Sequence, residues 1–278
     1  MDVRRGRIET SISVDEVGVE TAYCNGTVLK SACQPIFERC GGMLEIWGVE
    51  ALARPSHDGA AKDDELPADI DMADQTFVAA LCRTLHLRNY RNLGNPGLRL
   101  LFGLDPKLCE NVEADLREAA LCFVEAGGDL ALLACRITGT GMLADDALRE
   151  IAAHLRELGM AIVVDDFAGG DSTIRDIELL RPDIVSFDGA WLRRVASFPA
   201  AARLLPALFR SCAGQGSRVL VYGIETMRDL DAALEAGADL VQGFLLGRPA
   251  LVGAEIDAEP MAVPVRRFHD REASRYGR

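Results

Sequence analysis

Carboxylates standing just beyond short apolar runs are the first sign of chemistry in this chain. Glu50 follows MLEIWGV, Asp165 and Asp166 follow AIVV, and Glu225 follows RVLVYGI. Two acids at the end of a run as apolar as MAIVV are costly without a partner. Oxygen donors gathered in one place suit a hard cation such as Mg²⁺ or Mn²⁺. The competing account is structural, since either aspartate can cap the helix that follows or accept backbone N–H groups. Neighbouring runs end differently: Gly103 after LRLLF, Arg136 after LALLAC, Ser186 and Asp188 after DIV, Tyr222 after RVLV and Gln242 after DLV. The eight cysteines form no CxxC pair and the four histidines no HExxH, so zinc chemistry is not indicated. Thiols inside runs such as LCFV read as small buried hydrophobes in a reducing cytoplasm.

Such residues meet only if the runs are strands whose C-terminal ends converge. From residue 29 onward, apolar strands alternate with amphipathic segments. GLRLLFGL precedes a helical stretch opened by Pro106, DLALLACRIT precedes DDALREIAAHLRELG, and MAIVVDDF precedes STIRDIELLR. DIVSFDG, SRVLVYGI and DLVQGFLLG continue the series, with helices between them. Strands this apolar on both faces belong to a parallel sheet covered on both sides. About eight strands and as many helices favour a closed (β/α)8 TIM-like barrel, which carries its active site at the C-terminal strand ends. The predicted organisation is one domain: residues 1–28 a polar leader or edge segment, 29–253 the barrel and 254–278 a charged extension.

The composition agrees and removes other classes. With 278 residues, 49% hydrophobic and 26% charged, the chain can bury a large core and is not disordered. A net charge of −13 disfavours nucleic-acid polymers. No apolar leader and no run of membrane-spanning length occurs, so the reading is soluble and cytoplasmic.

In order along the chain, the strand ends resemble the EAL domain family of cyclic di-GMP phosphodiesterases, over residues 29 to 250. CQPIF at 33–37 resembles that family's QPI, and VEALARP contains the triplet Glu50, Ala51, Leu52. RIT at 136–138 stands where the family has EITE, DDFAGGDST at 165–173 resembles DDFGTGYSS, and SFD at 186–188 resembles KID. YGIET at 222–226 resembles EGVET, and QGFLLGRP at 242–249 resembles QGYLFGRP. The resemblance implies a modified (β/α) barrel and hydrolysis of cyclic di-GMP to linear pGpG by two metal ions. It assigns Glu50, Asp165 and Asp166 as metal ligands and Gln242 as a catalytic-shell residue that positions water. Gln34, Leu52 and Arg54 become contacts to cyclic di-GMP, joined by Gln242.

The departures weigh against that chemistry. Gly103 stands for an asparagine ligand, Arg136 for a glutamate ligand, Ser186 for a catalytic lysine and Tyr222 for a further glutamate ligand. Gly139 stands for a glutamate that anchors the loop after the paired aspartates. Mg²⁺ or Mn²⁺ would be held weakly or not at all. Arg136 either contacts a phosphate of cyclic di-GMP bidentately or pairs with Asp165 or Asp166 and neutralises the site, the second being the simpler use. The expected function is a degenerate EAL signalling protein, a cyclic di-GMP receptor or a protein-contact module. Two alternatives stand beside it: an active metal-dependent phosphodiesterase using Glu50, Asp165, Asp166 and Gln242, and a nucleotide-independent interaction domain.

Several signals are secondary. GTGMLA at 139–144 matches a dinucleotide-cofactor fingerprint, but no acid ends the next strand at the required spacing, and it reads as a loop. Ile174, Ile177 and Leu180 form a stripe suited to a homodimer or to the core. Trp47 and Trp191 read as packing residues. Arg266, Arg267, Arg271, Arg275 and Arg278 read as a solvated tail rather than a docking patch for an acidic partner.

Overall fold

The computed structural model describes residues 3–5, 8–24, 27–57, 60–61, 72–95, 97–165, 171–254 and 261–262. Three strands, β1 (Val3–Arg5), β2 (Ile8–Val14) and β3 (Glu20–Cys24), run antiparallel ahead of a long hairpin of β4 (Thr27–Cys40) and β5 (Met43–His57). The turn between β4 and β5 is only Gly41 and Gly42, at φ 62° and 117°. Two residues cannot carry a crossover, so the hairpin is antiparallel. β6 (Ala60–Ala61) folds back on β5, and α1 (Met72–Arg88) follows. Next come β7 (Arg99–Leu104), α2 (Val112–Glu125), β8 (Leu133–Ile137), α3 (Asp145–Glu157), β9 (Ala161–Val164) and α4 (Asp171–Leu180). The second half holds β10 (Ile184–Asp188), α5 (Gly189–Ala196), α6 (Pro199–Ala202), α7 (Leu205–Gly214), β11 (Arg218–Tyr222), α8 (Met227–Ala236) and β12 (Leu240–Gln242). Strands β13 (Ala250–Leu251) and β14 (Met261–Ala262) add to β4 and β5.

The ring closes in the order β4, β12, β11, β10, β9, β8, β7, β5 and back to β4, giving the expected eight-stranded barrel with surrounding helices. It departs from a uniform (β/α)8 in one strand: β4 runs antiparallel to both β5 and β12. Inside, Ile36, Trp47, Leu101, Ala134, Val163, Ile184, Leu220 and Leu240 form an apolar plug. Trp47 enters it through a bulge, because Ile36 pairs with Gly48 and Phe37 with Ile46, leaving the indole unpaired and re-aimed inward. Trp191 packs on Phe187 with ring centroids 5.7 Å apart. Both tryptophans are therefore packing residues.

Two expectations change in detail. The helix predicted to open at Pro106 is split: Asp105 caps a short 3₁₀ turn, and Asn111 restarts the chain by accepting the Ala114 N–H at 2.9 Å, so α2 begins at Val112. In α4, Ile177 and Leu180 are buried and only Ile174 is exposed, so most of that stripe faces the core. Residues 266–278, with the tail arginines, lie outside the described residues. All eight cysteines are free; burial pushes the Cys33 and Cys82 thiols up to about 12 each. Among the described residues no helix is long and apolar enough to cross a membrane.

The β2–β3 hairpin is an edge element tied to the barrel by one buried acid. The Glu20 carboxylate has no exposed surface and lies 3.0 Å from Arg88 Nε and 2.6 Å from Arg91 Nη2. Its backbone N–H donates to Asn89 Oδ1 at 2.8 Å, and Asn89 Nδ2 donates back to the Glu20 carbonyl at 2.9 Å. Beneath it, His86 Nδ1 meets Ser31 Oγ at 2.7 Å, and burial pushes its imidazole down to about 4. A neutral His86 in the folded state means the unfolded chain takes up the proton first, near about 6.5. This contribution to stability is complete above that pH and is lost as pH falls toward 4, at up to about 1.4 kcal/mol per unit. Urea midpoints measured at neutral and mildly acidic pH should fall for the native chain and fall less for His86→Asn. Glu20→Ala should cost about 2–3 kcal/mol by the same measurement, since Arg88 and Arg91 are half exposed and regain water.

Candidate functional site

Strand side chains alternate, so residues two positions apart share a face. One step from the plug toward the C-terminal strand ends therefore yields a second inward layer. Leu101 leads to Gly103, Ala134 to Arg136, Val163 to Asp165, Ile184 to Ser186, Leu220 to Tyr222 and Leu240 to Gln242. On β5, Glu50 lies two beyond Gly48; on the reversed β4, Gln34 lies two before Ile36 and pairs with Glu50. Leu52 and Arg54 continue the Glu50 face of β5 outward, both half-buried. The strand-end residues thus form one ring over an apolar floor.

Arg136 is the centre of that ring. Its Nη1 lies 3.0 Å from Glu50 Oε1 and 3.6 Å from Asp165 Oδ1, with the arginine side chain 10% exposed. β7 lies between β8 and β5, so the guanidinium reaches Glu50 across Gly103, where a Cβ would meet no atom within 4 Å. The other Glu50 oxygen accepts from Gln242 Nε2 at 2.8 Å, and that nitrogen also lies 3.4 Å from Gln34 Oε1. Gln34 Nε2 donates to the Gly247 carbonyl at 3.0 Å. Ser186 Oγ lies 2.8 Å from Asp165 Oδ1 and 3.1 Å from the Val164 carbonyl. The Tyr222 ring flanks the guanidinium, its centroid 5.3 Å from Cζ.

Arg136, expected to pair with Asp165 or Asp166, lies 3.6 Å from Asp165, but its nearer partner is Glu50, which that expectation did not include. Glu225 does not join them; it is 59% exposed and lies 3.7 Å from Arg193. Asp166 lies outside the described residues. Among the described residues no group of three or more His, Cys, Asp and Glu side chains converges. A divalent cation needs several oxygens around one point. Here one Glu50 oxygen accepts from Gln242 Nε2, the other lies 3.0 Å from Arg136 Nη1, and a fixed positive charge stands between Glu50 and Asp165. These residues do not fit a divalent cation.

Two supports escaped the sequence reading. A Cβ on Gly243 would fall 2.1 Å from the Ile224 carbonyl oxygen, so the backbone after Gln242 is clamped against the β11 loop. The only signal was a glycine directly after the site glutamine. Thr140 Oγ1 donates to the buried Asp176 Oδ2 at 2.5 Å, so the 139–144 segment, a loop with a short 3₁₀ turn, is tied to α4.

The EAL domain family profile matches residues 25–249. Cyclic di-GMP phosphodiesterase NbdA of Pseudomonas aeruginosa is 26% identical over 238 residues, covering 80% of this chain and 29% of that protein. Cyclic di-GMP phosphodiesterase RocR of the same organism is 24% identical over 222 residues, covering 75% of this chain and 54% of that protein. The chain thus spans roughly a third to a half of these relatives. The Bacillus subtilis YkuI protein, with an EAL domain, solved with cyclic di-GMP and calcium, superposes at a TM-score of 0.70 and 23% identity, over 82% of this chain and 57% of that one. A standalone EAL protein from Vibrio cholerae, solved with cyclic di-GMP, superposes at 0.69 and 19%, over 80% and 92%.

Removing the guanidinium leaves Glu50 and Asp165 facing each other without compensation. Arg136→Ala should lower unfolding free energy by about 3–5 kcal/mol in urea titration, and Arg136→Ala combined with Glu50→Gln should recover a large part. Gly243→Ala should displace Gln242 through backbone overlap, seen as loss of protection of strand β12 amides in hydrogen exchange.

Proposed function

The chain belongs to the EAL domain family, and on that premise we propose that it is a signalling domain that binds cyclic di-GMP at its barrel mouth without hydrolysing it. One observation carries this reading: the Arg136 guanidinium stands between Glu50 and Asp165, where hydrolysis would need cations. In a two-metal phosphodiesterase the ions activate water and hold the attacking and leaving oxygens. Here Glu50 is held by Arg136 and Gln242, and Asp165 by Ser186 and Arg136. The residues for binding are kept: Gln34, fixed by the Gly247 carbonyl, and Leu52 and Arg54 on the same β5 face as Glu50. Arg54 brings a charge that can meet a phosphate bidentately. Free thiols throughout are in keeping with a cytoplasmic setting.

A second reading, an interaction domain indifferent to nucleotide, is favoured by the closed pairing of Glu50 and Arg136. A third, slow hydrolysis on Glu50, Asp165, Asp166 and Gln242, requires Arg136 to leave the ring. Calorimetric titration with cyclic di-GMP, in EDTA and in excess Mn²⁺, with products followed by chromatography, separates the three. The expected result is binding in both buffers with constants within about twofold of each other and no linear product. Linear product appearing only with metal would overturn the proposal, and no heat in either buffer would leave protein contact as the function.

A further inference from the structure

Arg136 uses one of its three nitrogens. Nη1 faces Glu50 and Asp165, whereas Nε and Nη2 are buried without a hydrogen-bond partner among the described residues. These are not two unrelated orphans. Nε–H and the adjacent Nη2–H lie on one edge of the guanidinium and point the same way, forming the side-on fork that receives two oxygens of one carboxylate or phosphate. A buried donor left unmade costs far more than an average hydrogen bond returns, and charged donors cost most. Tyr222 flanks the guanidinium and Glu50 lies on the Nη1 side, so the fork edge is the part of Arg136 left to bind. A third orphan, Gln242 Oε1, belongs to the side chain holding the other Glu50 oxygen. Beside Arg136, in register with it, Gly103 leaves space that no side chain fills.

We infer that the Arg136 fork is an oxyanion subsite that takes a singly charged phosphoryl group of the phosphodiester class. The charge class follows from the ring. Among the described residues of the ring, Arg136, Glu50 and Asp165 sum to −1, from one cation and two carboxylates. A monoester at neutral pH carries close to two charges and meets stronger repulsion than a diester carrying one. The subsite rests on the reading of the mouth as a cyclic di-GMP site only for the source of the phosphodiester; the fork itself rests on the orphaned donors.

The test uses the full chain labelled with ¹⁵N-arginine, the Arg136 Nε–H resonance being identified by its loss in Arg136→Lys. Lysine keeps the charge facing Glu50 but has no fork. Dimethyl phosphate should shift that resonance, while sodium chloride at matched ionic strength should not. Inorganic phosphate at pH 8 should act at least several-fold more weakly. Dimethyl phosphate should raise the melting temperature of the native chain and leave Arg136→Lys unmoved. A resonance that ignores dimethyl phosphate would show the fork satisfied by an internal water and overturn the subsite, as would an equal thermal response in Arg136→Lys. Cyclic di-GMP that binds calorimetrically without moving the resonance would also overturn it. A shift with dimethyl phosphate and no heat with cyclic di-GMP would keep the subsite and remove the receptor reading.

Discussion

A guanidinium 3.0 Å from Glu50 and 3.6 Å from Asp165, on a side chain 10% exposed, decides what this barrel mouth can hold. Charges so little exposed are screened weakly, and each costs several kcal/mol to strip of water unless paired. The pair therefore acts as a structural commitment. Glu50 cannot turn to a cation without leaving Arg136 only the more distant Asp165, and Arg136 cannot leave without exposing two acids to each other. The apolar floor of Leu101, Ala134, Val163 and Leu220 leaves neither group a polar partner below.

The barrel is built to deliver that ring. Parallel strands from β5 to β12 present their C-terminal ends together, and the antiparallel β4 contributes Gln34 from the opposite chain direction. The two-glycine turn after Cys40 enforces the reversal, and Gln34 then stands opposite Glu50 in register. From Gln34 the polar chain runs to Gly247 on one side and toward Gln242 and Glu50 on the other. Gly243 allows the close approach to Ile224 that fixes Gln242. Glu20, Arg88 and Arg91 anchor the added hairpin.

Much of this was legible before any coordinates. The ends of the apolar runs mark Gly103, Arg136, Asp165, Ser186, Tyr222 and Gln242 as strand-end residues, because a strand buried on both faces reads as one continuous apolar run. The alternation of strands and helices carried the barrel. What escaped were contacts set by closure: the reach of Arg136 across Gly103 to Glu50, two strands away, depends on strand order and stagger, which no local window records. Glu225 shows the converse. It shares the strand-end position of the others, yet past Gly223, at φ 72°, it faces Arg193 and solvent.

The residues around Arg136 also complement one another. Ser186, short and neutral, turns its hydroxyl to Asp165; Tyr222, aromatic and uncharged, packs on the guanidinium; Gly103 leaves Arg136 a path to Glu50. Lysine at 186 would bring a second cation beside Asp165, and glutamate at 222 another acid beside Arg136. Without these donors the carboxylates would face one another, each an unpaired buried charge. Instead Glu50 and Asp165 both have donors, and among the described residues of the ring the orphans are Arg136 Nε, Arg136 Nη2 and Gln242 Oε1. On the proposed reading, a ring that has satisfied its acids but kept a bidentate donor edge holds an oxyanion rather than cleaving one.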